Sequence, residues 1–180
     1  MKIDFLKQRF SSPEVIHAED QTFALDSLDI KKLIEIATAR SRKKIRLCVH
    51  TDTDANVHQM FIALKRDAYV RPHRHLKKNE AINILHGSAD YLIFSDSGEI
   101  EKCVPVSAYT GGQCFYATTE KNIFHTLIVR SEWLVFLEVA EGPFVKSETT
   151  PAPWSPVESD LDSVKKYITE IEVQLKSLNN

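Results

Sequence analysis

The stretch from about Arg46 to Val139 constrains the fold more than any other part of the sequence. It consists of short runs rich in Val, Ile, Phe, Tyr and Leu, separated by turn signals. Glycines in His86-Gly87-Ser88, Asp96-Ser97-Gly98 and Thr110-Gly111-Gly112 suit turns in which the backbone needs a positive φ. Such spacing is typical of a β-sandwich or β-barrel. Residues 89–106 are predicted to form a hairpin within it.

A helix is predicted before this β-rich stretch, although residues 1–26 show no clear period. Asp26 or Ser27 is expected to cap its start. The residues of its apolar stripe recur at helical spacing and are Ile30, Leu33, Ile34 and Ala37.

A second helix is predicted after a proline-rich segment that contains Pro143, Pro151, Pro153 and Pro156. Ser155, Pro156 and Glu158 have the pattern of a capping box with proline at the first helical position. The apolar residues that follow alternate spacings of three and four and form one narrow seam: Leu161, Val164, Ile168, Ile171, Leu175 and Leu178. This seam needs a partner surface, which is either the protein's own β core or the same helix in a second subunit, giving a homodimer.

These changes divide the chain into three predicted parts. Residues 1–45 form an N-terminal extension with a helix, residues 46–145 form a β-barrel, and residues 146–180 form the proline-rich segment and the C-terminal helix. The 180 residues suffice for one well-buried domain. A content of 43% hydrophobic and 27% charged residues is ordinary for a soluble globular protein.

Charge and cysteine content restrict the partners and the compartment. The net charge of -2 argues against nucleic acid as a partner, and we interpret the local run of Arg40, Arg42, Lys43, Lys44 and Arg46 as a solvated charge cluster. No run of about 18 apolar residues could span a membrane, and the N-terminus has no continuous apolar segment typical of a signal peptide. The three cysteines form no CxxC pair, which favours a reducing compartment. We therefore expect a cytoplasmic protein with no membrane partner.

The segment YVRPHRHLKKNE carries the strongest functional signal. In a strand, alternate side chains share a face, so Tyr69, Arg71, His73 and His75 are predicted to point to one side. A short bend would bring Glu80 on the next strand beside the two imidazoles. Neutral imidazole nitrogens and a carboxylate oxygen suit first-row divalent ions. The alternative is that both histidines are surface residues and Glu80 pairs with a neighbouring lysine.

A third histidine is expected to complete such a site. His125 is the best candidate because it lies inside an apolar run, where an imidazole without a partner is costly to bury. The sequence therefore predicts a metal site of His73, His75, Glu80 and His125.

These residues resemble the cupin superfamily, whose first motif is G(X)5HXH(X)3-4E(X)6G. His73, His75, Glu80 and Gly87 occupy its positions, while Asp67 replaces the opening glycine. The usual PxGxxH of the second motif is replaced here by EKNIFH, which ends on His125. Over residues 25–158 the chain resembles, more narrowly, the WbuC-type cupin-fold metalloproteins, on RLCVH, YVRPHRH, FHTLIV, FLEVAEGPF and APWSP.

The resemblance implies a mostly β fold: a cupin double-stranded β-helix, or jelly-roll barrel, with an N-terminal helical extension. The C-terminal amphipathic helix is an addition to it. The resemblance also implies a bound metal and a role in bacterial surface-polysaccharide (O-antigen) biosynthesis.

Three imidazoles and one carboxylate fill four coordination positions. An octahedral ion (Fe, Mn, Ni or Co) keeps two positions for water or substrate, whereas tetrahedral Zn would be filled. The first hypothesis is a metal-dependent enzyme acting on a sugar or sugar-nucleotide-like molecule, such as an isomerase, epimerase or lyase. The alternatives are a non-catalytic saccharide-binding protein and an Fe(II) dioxygenase. The residues expected to contact the ligand are Arg71, Tyr69, His50 and Tyr91.

Overall fold

The short apolar runs form two β-sheets that pack face to face as a barrel. The computed structural model describes residues 8–19, 22 and 24–178. Its strands in chain order are β1 (Arg9–Ser12), β2 (Val15–His17), β3 (Lys44–Cys48), β4 (Val57–Lys65), β5 (His73–His75), β6 (Glu80–His86), β7 (Ser88–Phe94), β8 (Ile100–Ser107), β9 (Tyr116–Thr119), β10 (Phe124–Val129), β11 (Trp133–Glu141) and β12 (Thr149–Pro151). The helices are α1 (Ser27–Thr38) and α2 (Leu161–Leu178), with short 3-10 turns at Tyr109–Gly111 and Lys146–Glu148.

The sheet order defines a double-stranded β-helix. One sheet has seven strands in the order β1-β2-β3-β4-β11-β6-β9, and the other has five in the order β12-β5-β10-β7-β8. Strands that are distant in sequence are therefore neighbours in space, as in a jelly roll. The predicted fold class is confirmed: a mostly β double-stranded β-helix with a helix before it and an amphipathic helix after it.

The predicted turns lie where the backbone requires them. Gly87 joins β6 to β7 with a φ of 79°, Gly98 joins β7 to β8 with a φ of 94°, and Gly112 follows the first 3-10 turn with a φ of 76°. Glycine tolerates this left-handed region because it has no Cβ. The hairpin predicted for residues 89–106 is the antiparallel pair β7–β8.

The N-terminal part of the chain contributes strands as well as a helix. β1 and β2 form an antiparallel pair, and β2 runs parallel to β3 at the end of the seven-stranded sheet. These strands of three or four residues lie in the stretch where the sequence showed no period. The predicted division of the chain at residues 45 and 145 stays a prediction.

The core has three layers of apolar contacts because strands in both sheets bury side chains on two faces. Between the sheets, Met60, Ile82, Leu127 and Phe136 pack inside the barrel. On the outer face of the seven-stranded sheet, Leu33 and Ala37 of α1 pack on a second cluster that contains Ile45, Leu47, Ala63 and Val135. Asp26 caps α1 and forms a capping box with Asp29, as the sequence predicted for its start.

The C-terminal helix packs on its own barrel. Its buried residues, Ile171 and Leu175, contact the outer face of the five-stranded sheet at Leu92, Phe94 and Phe124. The two terminal residues of the predicted apolar seam, Leu161 and Leu178, are exposed and do not take part in this packing. A homodimer through this helix stays a prediction.

The predicted capping box at Ser155 is wrong. The helix begins at Leu161, and its first turn is capped by Asp160, whose Oδ1 accepts a hydrogen bond from the Ser163 amide at 3.1 Å. The Ser155 hydroxyl is buried and donates instead to the Ala152 carbonyl at 2.8 Å. The Ser155 hydroxyl therefore bonds to a nearby backbone carbonyl and does not cap a helix.

None of the helices in the described part of the chain is long and apolar enough to cross a membrane. Cys48, Cys103 and Cys114 are free thiols.

Candidate metal centre

The predicted ligands lie on β5, β6 and β10, and the short connection of residues 76–79 joins β5 to β6. His73 and His75 lie on β5, and His73 is directly opposite His125 of β10 in the antiparallel register. Glu80 is the first residue of β6, in the facing sheet. The side chains of all four point into the barrel, and one ligand atom from each lies within 4.8 Å of those of the others.

The distances within this cluster are short. Glu80 Oε2 lies 2.9 Å from His75 Nε2, and Glu80 Oε1 lies 2.7 Å from His125 Nε2. The His73 ring centroid lies 4.7 Å from that of His125 and 5.1 Å from that of His75. The carboxylate therefore lies between two imidazoles, with the third ring beside them.

Backbone carbonyls orient two of the rings. His73 Nδ1 donates a hydrogen bond to the Arg71 carbonyl, and His125 Nδ1 donates to the Ile123 carbonyl, both at 2.9 Å. His75 Nδ1 lies 3.0 Å from Thr149 Oγ1 of β12. With each Nδ1 occupied in this way, the Nε2 atoms are free to act as ligands, which is the arrangement that metal-binding histidines use.

The electrostatics of the cluster are those of an ion pair with a neutral neighbour. Burial disfavours charge on Glu80, but His125 and His75 outweigh it and hold the pKa of the carboxyl well below its usual range. Burial likewise opposes charge on His125, yet Glu80 raises the pKa of that ring. Burial and the adjacent His125 lower the pKa of His73 to about 4. Without a metal ion, a proton on His125 balances the buried carboxylate.

The four residues fit a divalent ion. His125 Nε2 is buried and has no hydrogen-bond partner of acceptable geometry among the described residues, despite its closeness to Glu80. Two ligand atoms on one first-row ion stand at most about 4.4 Å apart, so small side-chain movements would close the cluster on an ion. Three nitrogens and one oxygen suit Fe, Mn, Ni, Co or Zn.

The cluster lies in the wall of a cavity inside the barrel. The cavity has a volume of about 750 Å³ and is lined on one side by apolar residues such as Met60, Ile62 and Phe136. All four candidate ligands contribute to its lining. About half of the lining residues are ionisable and the others are mostly apolar, and a concave space of this size can hold a small molecule.

Arg71 and Tyr69, expected at the ligand, are both bonded to the proline-rich segment. Arg71 Nε donates to Ser155 Oγ at 3.0 Å, and its Nη2 donates to the carbonyls of Ala152 and Ser155. Arg71 also lines the cavity. The Tyr69 hydroxyl donates to the Pro156 carbonyl at 3.2 Å, and burial raises its pKa to about 12. Their contact with a ligand stays a prediction.

Tyr91 contacts the cluster directly, whereas His50 is not among the residues that line the cavity. The Tyr91 hydroxyl is buried beside Glu80, 3.4 Å from Oε1 and 2.5 Å from Thr119 Oγ1, so Tyr91 helps to orient the carboxylate. Burial and the charge of Glu80 raise the pKa of Tyr91, which keeps the phenol protonated. His50 stacks on His58 with ring centroids 4.1 Å apart. It is His58 that lines the cavity.

Sequence reasoning missed the charged residues that share the cavity with the candidate ligands. Glu138 of β11 and Arg46 of β3 both line it, and Lys78 follows β5 at its edge. Glu138 was detectable in principle, because a single acidic residue within the apolar run WLVFLEV is costly to bury without a purpose. Burial, and then the charge of Glu80, raise the pKa of Glu138.

Comparisons with known proteins bear on the fold. A family profile described as a domain of unknown function (DUF6016) matches residues 25–105. None of the curated proteins matches the chain. A protein with a double-stranded β-helix domain from Klebsiella pneumoniae is 14% identical, with a TM-score of 0.52 over 74% of this chain and 98% of that one. A Shewanella oneidensis protein is 9% identical, with a TM-score of 0.52 over 71% of this chain and 85% of that one.

A mutant of the oxalate decarboxylase of Bacillus subtilis is also similar, at 24% identity and a TM-score of 0.44. The match covers 53% of this chain but only 24% of that enzyme. The likenesses at a TM-score of 0.52 agree with the sheet order described above. The fold is therefore the double-stranded β-helix that the resemblance implied, and membership of the cupin superfamily and of its WbuC-type group stays a prediction.

Proposed function

We propose that this chain binds one divalent transition-metal ion through His73, His75, Glu80 and His125, and acts with it on a small molecule in the barrel cavity. The convergence of four ligand atoms in the wall of a cavity large enough for a substrate carries this proposal. A structural metal site is closed by its protein ligands, whereas a catalytic site keeps a coordination position open toward the space that the substrate enters.

The residues around the cluster have separate tasks in this proposal. Tyr91 and Thr149 hold Glu80 and His75 in the orientation that an ion needs. The apolar lining excludes water from the inner end of the cavity. Glu138 supplies a carboxyl group that can bind a substrate hydroxyl and exchange a proton with it. The ion itself supplies Lewis-acid polarisation of a substrate carbonyl or hydroxyl group.

A sugar or sugar-nucleotide-like substrate and a role in surface-polysaccharide biosynthesis belong to the same proposal. Both derive from the resemblance to the WbuC-type proteins, and the size of the cavity is compatible with a monosaccharide derivative. Incubation of the metal-loaded protein with a panel of sugar nucleotides tests this half. If none of them is bound or converted, the proposed substrate class is refuted while the metal site is unaffected.

Elemental analysis of protein purified without a histidine tag tests the metal half. We expect one equivalent of a first-row transition metal per chain. Because an ion that binds only the folded state stabilises it, removal of the ion by a chelator is expected to lower the melting temperature, and its return to restore it. A preparation that neither contains nor takes up an equivalent of Fe, Mn, Co, Ni or Zn would refute the site.

Metal affinity is expected to fall as the pH is lowered. The pKa of His125 is raised in the metal-free protein, so below that pKa the ring carries a proton that the ion must displace. Each displaced proton lowers the apparent affinity about tenfold per pH unit below the pKa, and the dependence disappears above it. Calorimetric titrations in buffers of different ionisation enthalpy measure the proton release. An affinity that stays constant from acid to neutral pH would contradict the ionic state assigned to His125.

A further inference from the structure

The charged residues of the cavity are unevenly paired. On β3, side chains alternate between Ile45 and Leu47, which face α1, and Lys44 and Arg46, which face the cavity. Arg46 lies opposite Ile62 of β4 in the antiparallel register, and Ile62 also lines the cavity. Arg46 is itself exposed, so its guanidinium lies at the open side of the cavity, in contact with solvent.

Some of the cations at the cavity are neutralised within the protein. Lys44 Nζ lies 3.6 Å from Glu158 Oε2. Arg42, beside it, pairs with the same carboxylate and with Glu14, whose Oε2 lies 3.1 Å from Arg42 Nη1. Arg71 has no carboxylate partner among the described residues, but its donors are used by the uncharged oxygens of Ala152 and Ser155. These groups therefore have partners of their own.

Three further cations have no such partner. Arg46, Lys78 and Lys146 line the cavity, and none of them forms an ion pair with a carboxylate in the described part of the chain. Lys78 Nζ lies over the ring of Phe144, 5.5 Å from the ring centroid. Arg46 and Lys146 are exposed to solvent and Lys78 is half-buried, so the planar donors of Arg46 are available for an oxyanion that enters the cavity.

Negative charge inside the cavity does not match these three cations. Glu80 is already balanced by His125, or by an ion in its place. Glu138 is the remaining carboxylate of the inner lining, and it interacts electrostatically with Arg46 and Lys78. Over the whole lining, five Lys and Arg side chains stand against four Glu side chains, an excess of one positive charge that is located around Arg46, Lys78 and Lys146.

We infer that the ligand of this cavity is a small molecule with a carboxylate or phosphate group, which Arg46 binds with the help of Lys78 and Lys146 while another part of the molecule faces the metal centre. The inference rests on the proposed function and narrows its substrate class. A sugar acid and a sugar phosphate satisfy the same chemistry. An uncharged sugar leaves the three cations without an acceptor.

The test is a set of calorimetric titrations of the metal-loaded protein with glucose, glucuronate, glucose 1-phosphate and inorganic phosphate. We expect at least one anion to bind and glucose to bind at least about tenfold more weakly, since a charge-assisted hydrogen bond is lost with the anionic group. The glucuronate and glucose 1-phosphate titrations distinguish carboxylate from phosphate recognition. If no anion binds at millimolar concentration, or if glucose binds as well as its anionic derivatives, the inference is overturned.

The variant Arg46→Gln tests whether the anion binds in this cavity. We expect it to lower the affinity for the anion about 10- to 100-fold while the metal content is unchanged. Arg9→Gln is the matched control, because it removes the same charge from an exposed arginine whose partner is Glu19 and is expected to leave anion binding unchanged. Equal effects of the two substitutions would overturn the inference.

Failure of the two proposals can be told apart. Metal content is measured on the same preparations, so a protein that holds its ion but shows no preference for anions refutes only the inference. A protein without metal that still binds the anions through Arg46 refutes the metal site and the metal-facing part of the inference, and supports only anion binding at Arg46.

Discussion

His75→Ala and His125→Ala are each expected to lower metal affinity by at least about 100-fold. Loss of an outer-shell partner alone costs metal sites about 10- to 100-fold, and here a ligand itself is removed. Both rings lie close to Glu80 through Nε2, at 2.9 Å and 2.7 Å, and among the described residues the cluster contains no fifth His, Cys, Asp or Glu that could replace either ring. Metal content after dialysis and competitive titration with a chromogenic chelator measure the loss.

His86→Ala is the control for these variants. His86 is exposed at the far end of β6, the strand that begins with Glu80. Its removal changes the histidine content without touching the cluster, so the metal content should equal that of the unsubstituted protein. Circular dichroism verifies that each variant is folded. Stoichiometric metal in both His75→Ala and His125→Ala would refute the ligand assignment.

Gly87→Ala is expected to destabilise the folded protein by about 2–5 kcal/mol. Gly87 has a φ of 79°, which costs other residues about 1–2 kcal/mol. A Cβ at this position would also collide with the Trp133 carbonyl oxygen and with Ser131 Oγ. That carbonyl belongs to β11 and cannot move without disturbing the sheet, and overpacking of this kind costs a further amount of about 1–3 kcal/mol. Chemical denaturation measures the free energy of unfolding.

Gly112→Ala separates the two causes. Gly112 has nearly the same φ, 76°, but apart from its own atoms and its two chain neighbours no heavy atom of the described structure lies within 4 Å of the position that its Cβ would take. We therefore expect only the conformational cost of about 1–2 kcal/mol. If the two substitutions destabilise the protein equally, the close approach of Gly87 to β11 has no energetic weight.

Local sequence patterns predicted the barrel and the four residues of the cluster. Alternation along β5 fixes the faces of His73 and His75, and the burial of a polar ring within β10 singles out His125. Both signals are contained in a few adjacent residues. The same is true of the turn at Gly87 and of the cap of α1 at Asp26, which depend on chemistry within one turn of chain.

The rest of the site depends on pairings between distant segments, which no local pattern encodes. Arg46 faces the cavity because of the register between β3 and β4, and Glu138 because of the position of β11 between β4 and β6. Thr149 contacts His75 only because β12 pairs with β5 across 74 positions of sequence. The segment around Ser155 was misread for the same reason, since its hydroxyl found a tertiary partner rather than a helix end.

The pairing of β12 with β5 determines when the centre can assemble during folding. β5 has three residues and is held between β10 and β12, so its histidines acquire fixed positions only after residues 124–129 and 149–151 have docked on either side. Contacts between such distant segments form late, because the intervening loops must close first. A nascent chain that ends before Thr149 has all four candidate ligands but lacks β12, one of the two strands that flank β5, so we expect an ion to bind a nearly complete barrel and not to initiate its folding.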